Sequence, residues 1–137
     1  MAISPNREQF IEYAKSDLAG EVVMLNLLRF ARTGASDEES GIAAYSRYGD
    51  QVRTMIEAQG GTILWSGLPH HVFVGNPEND RWDAAVLVMY PSRDKFLEMV
   101  STPEYNDAHK DRESGLEATV ILACEPLPAF RVIKEER

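Results

Sequence analysis

Two hydrophobic rhythms run along this chain, one recurring every three to four residues and one so dense that no polar face is left, and their borders mark the elements. Ser4 and Pro5 read as a helix cap and first helical residue, since proline lacks only a donor that would go unpaired there. Phe10, Ile11, Ala14 and Leu18 then keep helical spacing, predicting a helix over residues 5–17 that Gly20 closes. Residues 21–30 form the first strand. One alternating set is Val22, Met24, Asn26, Leu28 and Phe30, the other Val23, Leu25, Leu27 and Arg29, so both faces are mainly apolar. Residues 32–41 are a polar loop. From Ile42, the positions Tyr45, Tyr48, Val52, Met55, Ile56 and Gln59 lay one side of a second helix against a sheet until Gly60 and Gly61 stop it. Residues 62–74 read as a second strand, placed at an edge because Gly67 and Pro69 interrupt it. A turn at 76–80 leads to a third strand over 83–90, again apolar on both faces. Ser92 caps a third helix carrying Phe96, Leu97 and Val100, which Thr102 and Pro103 restart and which runs to Gly115. Residues 119–124 are the fourth strand, and 125–137 a proline-punctuated tail.

The order strand, helix, strand, strand, helix, strand is the split ferredoxin-like arrangement, an α+β fold with helices on one side of the sheet. The chain divides into an N-terminal helical extension (1–20), the ferredoxin-like domain (21–125) and a C-terminal tail (126–137). Because the first and third strands are apolar on both sides, a wet second face would exceed the few hundred Å² that monomers usually expose. The expected cover is the same face of a second copy, making a homodimeric α+β barrel, with the first helix or the tail as the competing lid.

Composition narrows the function classes. With 137 residues, 44% apolar and 26% charged, the chain has the makeup of one globular domain. Its net charge of -8 repels phosphate backbones and anionic lipid, so neither nucleic acid nor membrane is an expected partner. No apolar run approaches a bilayer span and the first residues lack an export pattern, so the cytoplasm is the expected location. The lone Cys124 reads as a small buried residue. Phosphate-binding glycine loops, GxSxG elbows and HExxH motifs do not occur, which removes support for nucleotide-dependent and hydrolase chemistry.

Five stretches, VVMLNLLRF (22–30), AYSRYGDQV (44–52), GGTILWSG (60–67), YPSRDKFLEMV (90–100) and TPEYNDAHKDRESGL (102–116), resemble the domain-of-unknown-function 1330 family in sequence and order. The resemblance implies the dimeric α+β barrel, a fold shared by cofactor-free monooxygenases, haem-degrading enzymes, muconolactone isomerases and non-catalytic binders. It implies no particular reaction.

Among candidate residues, Asn26 interrupts an apolar strand and must find hydrogen-bond partners or orient a ligand, while Arg29 points to the opposite face. Tyr105, His109, Arg112 and Glu113 form one helical stripe, either a solvated face or a site in which His109 is the base and Arg112 an anion clamp. Trp65, Trp82, Tyr45, Tyr48 and Tyr90 supply aromatic walls, of which Trp65 and Tyr48 are assigned to substrate. His70 and His71 would face opposite ways on a strand, and no cofactor or metal is called for. Three functions follow. The first is a nucleotide-independent enzyme, monooxygenase- or isomerase-like, acting on an apolar or aromatic substrate held by Asn26 and Trp65. The second is a non-catalytic ligand-binding or association module, and the third haem binding or degradation. The convergence of Asn26, Trp65, Tyr105 and His109 on one cavity would separate the first two.

Overall fold

The computed structural model describes residues 3–34 and 39–127, and within them the chain runs α1 (Arg7–Ala14), β1 (Val22–Phe30), α2 (Gly41–Ala58), β2 (Thr62–Gly67), β3 (Ala84–Tyr90), α3 (Arg93–Val100), α4 (Pro103–Gly115) and β4 (Leu116–Cys124). The four strands form one antiparallel sheet in the order β2-β3-β1-β4, so the fold is ferredoxin-like with an added leading helix. β1 lies inside the sheet, with Asn26 opposite Val86 on one side and Ile121 on the other. β2 is an edge strand, as its interruptions predict.

Several borders differ from the sequence reading, each for a local reason. α1 is capped by Asn6, not Ser4: the Asn6 side chain accepts from the Gln9 amide at 2.7 Å while the Gln9 side chain accepts from the Asn6 amide at 3.1 Å. That reciprocal box satisfies two donors that Ser4 could not reach. β2 ends at Gly67, and residues 68–80 leave the sheet as a loop in which Leu68, Phe73 and Val74 stand well exposed. β4 starts three residues earlier than its pattern suggests, because Leu116 pairs with Phe30 beyond a register shift after Arg29.

Helices cover one face. α2 turns Ala44, Tyr48, Val52 and Ile56 onto Val22, Met24, Val88 and Tyr90, with Met99 and Ala108 joining from α3 and α4. Fully burying each such aliphatic side chain is worth about 1.5–3 kcal/mol. The start of α2 and the end of α4 touch backbone to backbone: a Cβ on Gly41 would collide with the Ala31 carbonyl, and one on Gly115 would lie 2.7 Å from the Gly41 oxygen. Only glycine fits either place.

The other face carries Val23, Leu25 and Leu27 of β1, Ala85, Leu87 and Met89 of β3, and Val120 and Leu122 of β4, because cross-strand partners share a side. Trp65, opposite Leu87, joins them. α1 does not cover this face; it packs on α3 at the helical side, with the Tyr13 and Phe96 rings 6.1 Å apart. The other expected lid, the tail, lies outside the described residues from 128 onward. Among the described residues no helix is long and apolar enough to cross a membrane.

Candidate functional site

α4 is almost wholly polar in sequence, PEYNDAHKDRESG, yet it is packed on both flanks. Thr102 starts it, accepting from the Tyr105 amide at 3.1 Å and donating to the Met99 carbonyl at 2.9 Å, so the break between α3 and α4 aims the helix. Tyr105, His109 and Arg112, one turn apart, then face a chamber of about 560 Å³. Ile3 to Pro5 and α1 roof it, α3 contributes Phe96, Leu97 and Val100, and Met24 with Thr119, Ile121 and Ala123 of the edge strand β4 form the floor. A space of that size, mostly apolar with a few polar groups, is typical of small-molecule sites.

The Nε2 atom of His109 lies 3.1 Å from the Ser4 hydroxyl, and its Nδ1 lies 3.6 Å from Glu113, too far for a hydrogen bond. Nδ1 is buried and otherwise unpartnered. Burial holds the imidazole pKa below its usual 6.5, with Arg112 acting in the same direction and Glu113 against both. At neutral pH the ring is therefore uncharged, and the carboxylate on the Nδ1 side favours the proton there, leaving the Nε2 lone pair toward Ser4 and the chamber. Rings line up behind it: Tyr105 is 5.7 Å from His109, and its hydroxyl meets that of Tyr48 at 3.0 Å. Burial drives the Tyr48 phenol well above its usual pKa, so it stays protonated.

Arg112 is 3% exposed. Nη1 donates to the Ile3 carbonyl at 2.8 Å and Nη2 to the Thr119 hydroxyl at 3.3 Å, while Thr119 donates onward to the Leu27 carbonyl at 2.8 Å. Glu113, the fourth member of the stripe, is mostly exposed.

The fold therefore brings together Tyr105, His109 and Arg112, with Tyr48 behind them, and leaves Asn26 and Trp65 outside. Asn26 is on the helical face, but its amide is spent on the Met24 and Val86 carbonyls at 3.2 and 3.4 Å, and it does not line the chamber. Trp65 projects from the edge strand onto the opposite face, 55% exposed, above Gly67. The asparagine, tryptophan and histidine that a haem site here would draw on, Asn26, Trp65 and His109, are thus split across the sheet. Arg29 does lie opposite Asn26, stacked 4.8 Å over Trp82 and donating to the Arg81 carbonyl at 2.7 Å. His70 and His71 do not point apart as a strand would have them; in the loop their Nδ1 atoms approach to 2.8 Å. Among the described residues no group of three or more His, Cys, Asp or Glu is placed to hold a metal ion. Ile3, Ser4, Tyr13 and Thr119 also belong to the chamber, and no sequence signal ties residues 3 and 4 to a helix more than a hundred positions away.

Known proteins agree with this architecture. A protein of unknown function from Rhodopseudomonas palustris is 31% identical, superposes with a TM-score of 0.86, and the match covers 92% of this chain and 97% of that one. More distant structures share the fold alone: a dimeric ferredoxin-like protein from Bacteroides fragilis (16% identity, TM-score 0.51, covering 79% and 98%) and SnoaB, a cofactor-independent oxygenase from Streptomyces nogalater (12%, 0.54, covering 83% and 100%). No curated protein matches the chain. Residues 39–125 match the model of the domain of unknown function DUF1330, and the chain belongs to that family.

Proposed function

We propose that this protein is a homodimeric, small-molecule-binding barrel whose chamber carries out nucleotide-independent proton-transfer chemistry on an apolar or aromatic substrate. The observation that carries the reading is His109, its Nε2 3.1 Å from the Ser4 hydroxyl and its Nδ1 3.6 Å from Glu113, on the wall of a largely apolar chamber. His109 is the base: Nε2 takes a proton from the substrate directly or through the Ser4 hydroxyl, and Glu113 steadies the imidazolium that results. Tyr105 and the aromatic side chains of α1 and α3 hold the substrate body. The deprotonated substrate is then set for rearrangement or for reaction with dioxygen, the second course being in keeping with the oxygenase that shares the fold.

The dimer rests on the uncovered sheet face. Four strands by about six residues make a surface of roughly 20 Å by 20 Å, lined by aliphatic side chains and Trp65. A matching patch on a second copy would cover it, and a dimeric relative shares the fold.

The test is a screen of aromatic and apolar carbon acids for turnover by the purified protein, repeated with His109→Asn. Loss of turnover with substrate binding retained supports the assignment. Equal turnover in the variant refutes the base, and binding by both proteins with turnover by neither substrate class favours the non-catalytic reading.

A further inference from the structure

The chamber holds a charge that its surroundings leave unanswered. Arg112 is the only charged residue among the described residues that is buried, and no carboxylate among them lies within 4 Å of its guanidinium. Its described partners are uncharged: the Ile3 carbonyl, the Thr119 and Tyr45 hydroxyls, and the Tyr48 ring, whose centroid lies 6.0 Å from the guanidinium carbon. Burying a guanidinium against neutral dipoles alone is costly, and a buried cation is normally paired with an acid. Its five N–H donors outnumber these three oxygen acceptors, so the fork retains donors for a carboxylate. His109 one turn away does not answer the charge either; it can only add to it.

The rest of the lining is apolar or aromatic, notably Phe10, Phe96, Leu97, Val100 and Ile121. The chain as a whole carries a net charge of -8, a field that opposes multiply charged anions. One buried cation inside an acidic protein selects for a single negative charge on an apolar body.

We propose, building on the small-molecule reading above, that the chamber binds monocarboxylates whose apolar or aromatic body fills the space under α1 and α3 while the carboxylate pairs with Arg112. The acid group thus sits near the Nε2 side of His109, which places the substrate atoms next to the carboxylate within reach of the base. Arg112 is a binding residue in this scheme, and the Ile3 carbonyl and Thr119 hydroxyl hold its guanidinium at the chamber wall.

Two fluorescent probes of matched shape test it, 2-naphthoate and the neutral 2-naphthalenemethanol, titrated into the full-length protein. Wild type should bind the acid at least about tenfold more tightly than the alcohol, the low end of what a charge-assisted pair provides. Arg112→Gln should bring that ratio to about one while leaving alcohol affinity within about threefold, since the apolar contacts are untouched. Val100→Trp, which plugs the chamber, should abolish both. A wild-type ratio near one, or a preference that survives in Arg112→Gln, overturns the carboxylate assignment and leaves the chamber as a neutral-ligand site. Failure of wild type to bind either probe overturns the small-molecule reading itself. If Arg112→Gln does not fold, a wild-type ratio near one still overturns the carboxylate assignment, and binding that survives in Val100→Trp overturns the chamber as the site.

Discussion

Replacing Trp65 by serine tests the proposed dimer face most directly. The indole is 55% exposed in the single chain and sits on the face that carries Leu25, Leu87 and Leu122. A tryptophan presents about 250 Å², so about 140 Å² of it is available for burial against a partner. Allowing for the part that serine would still cover, loss at about 25 cal/mol per Å² comes to about 2 kcal/mol per copy. A two-fold interface uses the residue twice, so the dissociation constant should rise by about three orders of magnitude. Sedimentation velocity across micromolar concentrations reads this as a shift from two-chain to one-chain particles. Ile42, 58% exposed on α2 at the far side of the molecule, supplies the control: Ile42→Ser should leave the particle unchanged. Wild type sedimenting as one chain, or a Trp65→Ser variant that dimerises as strongly as wild type, would refute the dimer.

Gly41→Ala should destabilise the fold by at least about 1–3 kcal/mol in urea unfolding, because the new methyl meets the Ala31 carbonyl and the Gly115 oxygen, neither of which can move independently of an element. Thr102→Ala should cost about 1 kcal/mol by the same measurement, since the Tyr105 amide loses its cap. Stability should also depend on pH through His109. Its folded pKa lies below the unfolded value of 6.5, so between the two the unfolded chain holds the extra proton and stability rises with pH. The contribution is complete above about pH 6.5 and is lost as pH falls toward the folded value, with a slope of at most about 1.4 kcal/mol per unit. The groups facing the ring, Glu113, Arg112 and Ser4, stay in place in His109→Asn, and that variant should lack the slope; one that keeps it would assign the dependence elsewhere.

The first and third strands and the second helix are legible because each carries one pattern without interruption. Val22 to Phe30 reads as strand on both faces, and the spacing from Ala44 to Ile56 is the buried stripe of α2. Borders are less legible where a side chain's local partner decides, as at Asn6, or where pairing stops at Gly67, ahead of Pro69 and seven residues short of the pattern. The stripe of Tyr105, His109 and Arg112 could be found from spacing, since all three lie on one helix. Its relation to Asn26 and Trp65 could not, because that depends on which way each strand turns its alternating residues, and a register shift at Ile63 and Trp65 resets the edge strand. The residue type of Ser4 suggests a cap, while its hydroxyl meets His109 across 105 positions.

The roof of the chamber is also its most weakly held part. No side chain of α1 is fully buried; the helix and its flanks are tied down by Tyr13, edge-on to Phe96, by Leu18 against the core, by the Arg93 guanidinium donating to the Ser16 carbonyl, and by the contacts of Ile3 and Ser4. Segments with so little buried surface open at low free-energy cost, long before the sheet unfolds. Lifting of this helix would widen the mouth of the chamber, so that for the ligand proposed above residence time and binding strength would be separately adjustable: trimming Phe96 would quicken exchange, whereas changes at Arg112 would alter how tightly the occupant is held.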